Sequence, residues 1–192
     1  MRRLPAVLVA ATMACGVAGS AALRAQDPLD PALLLKPPTD NWPTFNGDYS
    51  GRRFSTLTKI DTATVHQTSL AWMFRLSGTG LGAIKSTPLQ INGILYFTVP
   101  DHVWAVDARS GREIWHYQWK TTGGNHLGNR GVAVFEDWLY FETPDCYLIS
   151  LNLKDGSERW RKPICDMDNF YYASVAPVVL KDRLIVGVSG DD

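Results

Sequence analysis

The feature that most constrains this chain is an internal repeat. Gly93-Ile94-Leu95-Tyr96-Phe97 returns as Asp137-Trp138-Leu139-Tyr140-Phe141 and again as Asp182-Arg183-Leu184-Ile185-Val186, so that Leu95, Leu139 and Leu184 are spaced by 44 and 45 residues. Each copy follows another apolar run: Thr87-Pro88-Leu89, Gly131-Val132-Ala133-Val134 and Ala176-Pro177-Val178-Val179. Pro100-Asp101 and Pro144-Asp145 come after the first two copies and introduce a further hairpin. Strand, turn, strand, turn at this period is the length of one β-propeller blade.

The last hairpin of each unit carries a sharper pattern. It runs Ala105-Val106-Asp107-Ala108-Arg109-Ser110-Gly111-Arg112-Glu113-Ile114-Trp115 in one copy. In the other it runs Ser150-Leu151-Asn152-Leu153-Lys154-Asp155-Gly156-Ser157-Glu158-Arg159-Trp160, which places the two tryptophans 45 residues apart. Ser110-Gly111 and Asp155-Gly156 supply the positive φ of a tight hairpin. Asp107 and Asn152 can accept hydrogen bonds from the turn. A small residue, Ala105 or Ser150, leaves room for a large ring from a neighbouring blade, and Trp115 and Trp160 can lie across such a gap and bury much apolar area. The Gly-His…Trp-Asp signature of other propeller repeats is missing. No capped amphipathic helix of useful length is predicted after the N-terminal segment. The expected fold class is all-β, a propeller of four-stranded blades.

Length and composition fit that reading. The 192 residues suffice for one ordinary domain, and 45% hydrophobic and 11% aromatic content can fill a core. Nineteen basic and 19 acidic residues give zero net charge, which argues against a nucleic-acid partner. Residues 1–25 read as a signal peptide: Arg2-Arg3, an apolar run from Leu4 to Ala22, then a cut after Ala25 before Gln26. A membrane anchor is the alternative, but the run is barely long enough to span and small residues dominate its second half. A lipid anchor on Cys15 has a poor context in Thr12-Met13-Ala14. Cleavage removes Arg2, Arg3 and Arg24 and no acid, which leaves 16 basic against 19 acidic residues and a net charge of −3. No later stretch is long enough to cross a bilayer, so the mature chain is expected to be soluble, in the periplasm or secreted.

Cleavage also removes Cys15 and leaves Cys146 and Cys165, an even pair in an oxidising compartment. Both lie nine residues from the Asp155-Gly156 turn, so a hairpin brings them nearly opposite and a disulfide is expected. No Cys-x-x-Cys occurs, which excludes a zinc ribbon or a c-type haem in this stretch. Residues 26–41 carry Pro28, Pro31, Pro37 and Pro38 and read as an extended lead-in. The propeller part is 42–192, with blades at about 84–120, 129–165 and an incomplete 174–192.

The 11-residue hairpin pattern resembles the tryptophan-docking motif of the pyrroloquinoline quinone (PQQ)-dependent alcohol dehydrogenases, in which it staples each blade to the next. The segment from Trp42-Pro43-Thr44-Phe45-Asn46-Gly47 to Arg53-Phe54-Ser55-Thr56-Leu57 is similar to the family's opening, and Leu70-Ala71-Trp72-Met73-Phe74 to its first strand, which joins the last blade. The resemblance implies an eight-bladed propeller, of which this chain covers about two and a half blades. It implies PQQ on the axis beside a calcium ion, an alcohol as substrate, and a periplasmic electron acceptor such as a c-type cytochrome.

The family's site residues carry over one at a time. Asn129-Arg130-Gly131 matches its Asn-Arg-Gly, and Arg130 would fork onto the cofactor's paired oxygens. Ser174 sits where a hydroxyl bonds the cofactor. Ser189-Gly190 matches its Ser-Gly, and Asp192 stands where it has a calcium-binding Glu. Two positions depart. Lys85 replaces an acid and offers a second cationic donor. Gly124 and Asn125 stand where the family has adjacent cysteines that lid the cofactor, so this face is expected to be open and PQQ binding weak. The Gly123–Gly128 run lacks Gly-Lys-Ser/Thr and is no phosphate loop, and His126 within it reads as a solvated loop residue. A branch that kept the scaffold and lost the cofactor, serving as a binding scaffold, is the second reading. The catalytic residue itself is not assigned.

Overall fold

The computed structural model describes residues 27–77, 84–124 and 128–190. The expected signal segment, Asn125, His126 and Asp192 lie outside the described residues. Strands β1 (Leu89–Ile91), β2 (Ile94–Val99), β3 (His102–Asp107) and β4 (Glu113–Gln118) form one antiparallel four-stranded sheet in sequential order. Strands β5 (Ala133–Phe135), β6 (Trp138–Glu142), β7 (Tyr147–Asn152) and β8 (Glu158–Pro163) form a second with the same order. A third unit begins with β9 (Tyr172–Ala173) and the hairpin β10 (Val178–Leu180) to β11 (Arg183–Ile185), and β12 (Val188–Ser189) pairs back on β9.

The burial of each strand follows from its place in the sheet. Strand β3 is buried along almost its whole length, which matches its unbroken Val103-Trp104-Ala105-Val106 run, whereas β8 is largely exposed and reads Glu-Arg-Trp-Arg-Lys-Pro. Asn92, Glu136 and Lys181 begin the first turn of the three units with φ of 51°, 51° and 54°. Three different side chains therefore accept the left-handed conformation that a two-residue hairpin turn requires. Leu89, Val103, Leu139, Phe141, Ile149 and Leu151 form the core between the two complete sheets.

Tryptophan docking joins the units. The Trp115 indole N–H donates to Leu153 O at 3.0 Å, and the ring lies so close over Gly156 that a Cβ there would be 2.7 Å from it. The glycine therefore answers a second demand besides its φ of 72°: it gives the ring a flat seat. Ala105 pairs with Tyr96 on one side and Trp115 on the other, and those two rings of its own sheet meet 6.0 Å apart.

Trp72 repeats the arrangement one unit earlier. Its N–H reaches Ala108 O at 3.1 Å and its ring covers Gly111, where a Cβ would be 2.6 Å away. Residues 70–74, expected as a strand, form none, and Trp72 is instead the staple onto the first sheet.

The lead-in is not extended throughout. Pro31–Leu35 form a 3-10 helix with Asp30 as cap and Leu34 buried, a start favoured by proline at the first helical position. Residues 29–49 strap all three units: Leu29 bridges to Glu136 in the β5–β6 turn, Trp42 to Gln90 in β1, and the Tyr49 hydroxyl bonds Val179 O in β10. A cavity of about 350 Å³ lies between the strap and the inner strands, lined by Phe45, Tyr49, Arg130, Val132 and Pro177 among others. The expected disulfide is present. Cys146 and Cys165 have Cα atoms 5.0 Å apart, and the 19-residue loop they close is stabilised by about 3 kcal/mol. Among the described residues no helix is long and apolar enough to cross a membrane.

Candidate functional site

The entries to the inner strands lie side by side. Thr87 N donates to Arg130 O at 3.2 Å, and Arg130 N donates to Ser174 O at 3.0 Å. This short ladder brings Lys85, Arg130 and Ser174, far apart in sequence, onto one rim. The Arg130 guanidinium is within hydrogen-bond reach of its neighbour: Nη1 donates to Ser174 Oγ at 2.8 Å. Arg130 is exposed and Ser174 buried, so the serine is a fixed wall and the guanidinium presents its remaining N–H donors outward. Lys85 is also exposed, and its stem crosses Gly128, where a Cβ would be 2.5 Å from it.

The three residues of Asn129-Arg130-Gly131 have separate tasks. Asn129 is buried and works as a bracket. Its Nδ2 donates to Glu142 O at 2.7 Å, while its Oδ1 accepts from Gly131 N at 2.9 Å and from the Thr98 hydroxyl at 2.6 Å. Gly131, at φ 128°, passes 3.2 Å from Thr87 O in the virtual Cβ direction, an approach that a side chain would obstruct. Between bracket and glycine, Arg130 is left to project.

Ser189 pairs with Tyr172, and Gly190 lies against the Tyr171 ring, 2.8 Å from where a Cβ would stand. These two belong to the third unit and are not hydrogen-bonded to Arg130, Ser174 or Lys85. Asp192, the expected calcium ligand, lies outside the described residues, and those residues contain no cluster of three or more metal-ligating side chains.

The loop expected to be open is pinned at its start. The buried Asp145 carboxylate accepts from Trp119 Nε1 at 2.8 Å, Thr122 N at 3.0 Å, Thr122 Oγ at 3.2 Å and Thr143 Oγ at 2.6 Å. Burial opposes its charge, but donors from Thr143, Thr122 and Trp119 outweigh burial and hold its pKa below the usual carboxylate range. Gly124 is pressed against the Pro144 carbonyl, where a Cβ would be 2.2 Å from the oxygen. A cysteine cannot take this backbone path, and a carboxylate anchor holds residues 121–124 in place.

One residue of the site was not anticipated. Glu142, fully buried at the end of β6, accepts from Val175 N at 3.2 Å through Oε2, while among the described residues Oε1 makes no hydrogen bond. Burial pushes its carboxyl up to about 7, with the Val175 and Gly187 N–H groups pulling the other way. The repeat contained the signal. Glu142 falls 44 residues after Thr98, an acid closing an apolar strand where the first unit has a hydroxyl.

Similarity to characterised proteins agrees with this geometry. Residues 42–192 match the family described as PQQ, glucose/ethanol/alcohol dehydrogenase, beta-propeller domain. The chain is 30% identical over 195 residues to the quinoprotein alcohol dehydrogenase PedH of Pseudomonas putida, covering 98% of this chain and 31% of that protein. The solved quinohemoprotein alcohol dehydrogenase ADHIIG of Pseudomonas putida HK5 superposes with a TM-score of 0.78 at 30% identity, over 84% of this chain and 25% of that one. A europium-containing methanol dehydrogenase gives 0.72 at 28% identity, over 83% and 29% respectively. The chain thus spans between a quarter and a third of the length of these three relatives. It belongs to the PQQ-dependent glucose/ethanol/alcohol dehydrogenase family and forms part of that family's β-propeller.

Proposed function

We propose that the protein carrying this chain is an exported quinoprotein oxidoreductase that oxidises an alcohol or similar carbinol and passes the electrons to an acceptor such as a c-type cytochrome. The observation that carries the proposal is the Arg130–Ser174 pair, 2.8 Å apart and flanked by Lys85 on one rim. A ligand with several carboxylates fits such a rim, because guanidinium and ammonium donors form charge-assisted hydrogen bonds with it. The residues present therefore suit PQQ.

In this reading Arg130 binds carboxylate or quinone oxygens by its outward N–H groups, and the Ser174 hydroxyl fixes the plane of the guanidinium. Lys85 balances anionic charge. Ser189 and Gly190 bring backbone to the same ligand, and Asp192 supplies a carboxylate oxygen to calcium. Bound PQQ would supply a two-electron quinone acceptor for hydride from the carbinol carbon. The rest of the catalytic set belongs to the whole protein.

The full-length protein, loaded with PQQ and calcium or a lanthanide, is expected to reduce an acceptor dye in the presence of a primary alcohol. Its mature N-terminus, sequenced after export, is expected at or near Gln26. Dye reduction that is independent of PQQ, or absent under every loading, contradicts the enzyme reading and favours a cofactor-free scaffold.

A further inference from the structure

Glu142 grips both sides of the Arg130–Ser174 pair. Its main-chain carbonyl accepts from the Asn129 side chain, next to Arg130, and its carboxyl accepts from Val175 N, next to Ser174. At the previous junction the equivalent residue is Thr98, whose hydroxyl is satisfied by Asn129 Oδ1. A neutral hydroxyl is enough to join two units there, so the carboxyl at position 142 introduces a titratable group that the joint itself does not need.

We propose that Glu142 is a positioning residue for the Arg130–Ser174 pair, and that its ionisation weakens the binding of anions at that rim as pH rises. The carboxyl is shut off from water, and among the described residues its Oε1 makes no hydrogen bond. A buried negative charge is screened little. An anion held by Arg130 and Ser174 sits one residue along the chain from the amide that Glu142 grips, so the anion favours the neutral acid and binding takes up a proton.

The other charged groups on the elements around Glu142 are Arg130, which is engaged with Ser174, Lys85, whose stem lies over Gly128, and Asp145, which is held by Thr143, Thr122 and Trp119. None forms an ion pair with Glu142 among the described residues. With the carboxyl pushed up to about 7 by burial, the transition falls in the neutral range.

The proposal rests on the reading of this rim as a PQQ site, and its test separates the two. The full-length protein and Glu142→Gln are titrated with PQQ at pH 6 and pH 8, and hydrogen exchange at the Val175 amide is followed in both without PQQ. PQQ keeps its carboxylates ionised across this range, and glutamine keeps an acceptor for Val175 N–H. The wild type is expected to lose about two- to threefold in affinity from pH 6 to pH 8, which a rise of half a pKa unit at Glu142 on binding would give. Glu142→Gln is expected to bind as the wild type does at pH 6 and to show no such loss. Identical pH profiles in the two proteins overturn the proposal. If neither protein binds PQQ, the quinoprotein reading is what fails, and Val175 then decides the positioning role. Protection that changes between pH 6 and pH 8 only in the wild type upholds the role, and protection that behaves alike in both overturns it.

Discussion

The outer and inner margins of the sheets use the same repeat in opposite ways. At the outer margin, Trp72 and Trp115 do one job with one set of parts: an indole N–H on a carbonyl, Ala108 or Leu153, and a ring laid on a glycine, Gly111 or Gly156. At the inner margin, equivalent positions diverge. Lys85, Asn129 and Ser174 occupy one column of the repeat, and Thr98 and Glu142 occupy another. The outer joint has the same neighbour at every unit, so the same residues recur. At the inner margin the matched side chains do different jobs: Lys85 is exposed, Asn129 is a buried bracket, and Ser174 accepts from Arg130. In the function we propose, the divergent positions carry the chemistry and the constant ones the scaffold.

If the outer staples hold the units together, removing one has the largest effect. Trp115→Ala takes away a buried ring and its 3.0 Å hydrogen bond to Leu153 O, at an expected cost of about 3–5 kcal/mol. Thermal denaturation of the full-length protein reads this loss. A melting temperature unchanged by the substitution would show that the staple is dispensable.

A smaller effect, confined to one pH range, is expected at the inner margin. The Glu142 carboxyl is raised from 4.5 to about 7 in the fold, so its neutral form is the favoured one. The stability that this provides is complete below pH 4.5 and is lost as pH rises through about 7, amounting to about 3 kcal/mol at most. Melting curves of wild type and Glu142→Gln should therefore diverge in favour of the glutamine variant between pH 5 and pH 8, a range set by those two values. Parallel curves would deny the carboxyl any such burden.

The smallest effect belongs to the exposed hairpin. The Asp107 carboxylate accepts from Arg109 N at 3.0 Å and from Ser110 N and Oγ at 2.8 Å, and Asn152 accepts from Lys154 N at 2.9 Å. Asp107→Ala is expected to cost about 1 kcal/mol, as do other local turn and cap bonds. Asn152→Ala, with fewer bonds to lose, should cost less. The reverse order in equilibrium unfolding would mean that the Asp155 bonds to Ser157 N and Oγ are not sharing the load in the second hairpin.

Much of the outer margin was legible in the sequence, because it depends on local chemistry that recurs. Asp-x-x-Ser-Gly and the tryptophan four residues later are a turn and its staple, and the Cys146–Cys165 pair follows from counting along one hairpin. Trp72 was harder to assign, because no docking hairpin precedes it and only its distance of 43 residues from Trp115 reveals its role. The motif Asn129-Arg130-Gly131 singled out Arg130 but not its contact with Ser174. Ser174 meets Arg130 through a main-chain ladder between units, and spacing along the chain does not encode that pairing. The anchor of residues 121–124 is hidden for the same reason: Asp145 belongs to the next unit, and spacing along the chain does not point to it. Glu142 could have been found by aligning units column by column and asking where an apolar strand ends in an acid.

In the function we propose, the rim at Arg130 and Ser174 receives PQQ. Equilibrium titration of the full-length protein with PQQ in the presence of calcium, repeated on an Arg130→Ala variant of unchanged melting temperature, tests it directly. Saturable binding at micromolar PQQ, weakened about tenfold or more by loss of the charge-assisted bonds in the variant, is the predicted result. Absence of binding at millimolar PQQ, or an affinity indifferent to Arg130, would contradict it.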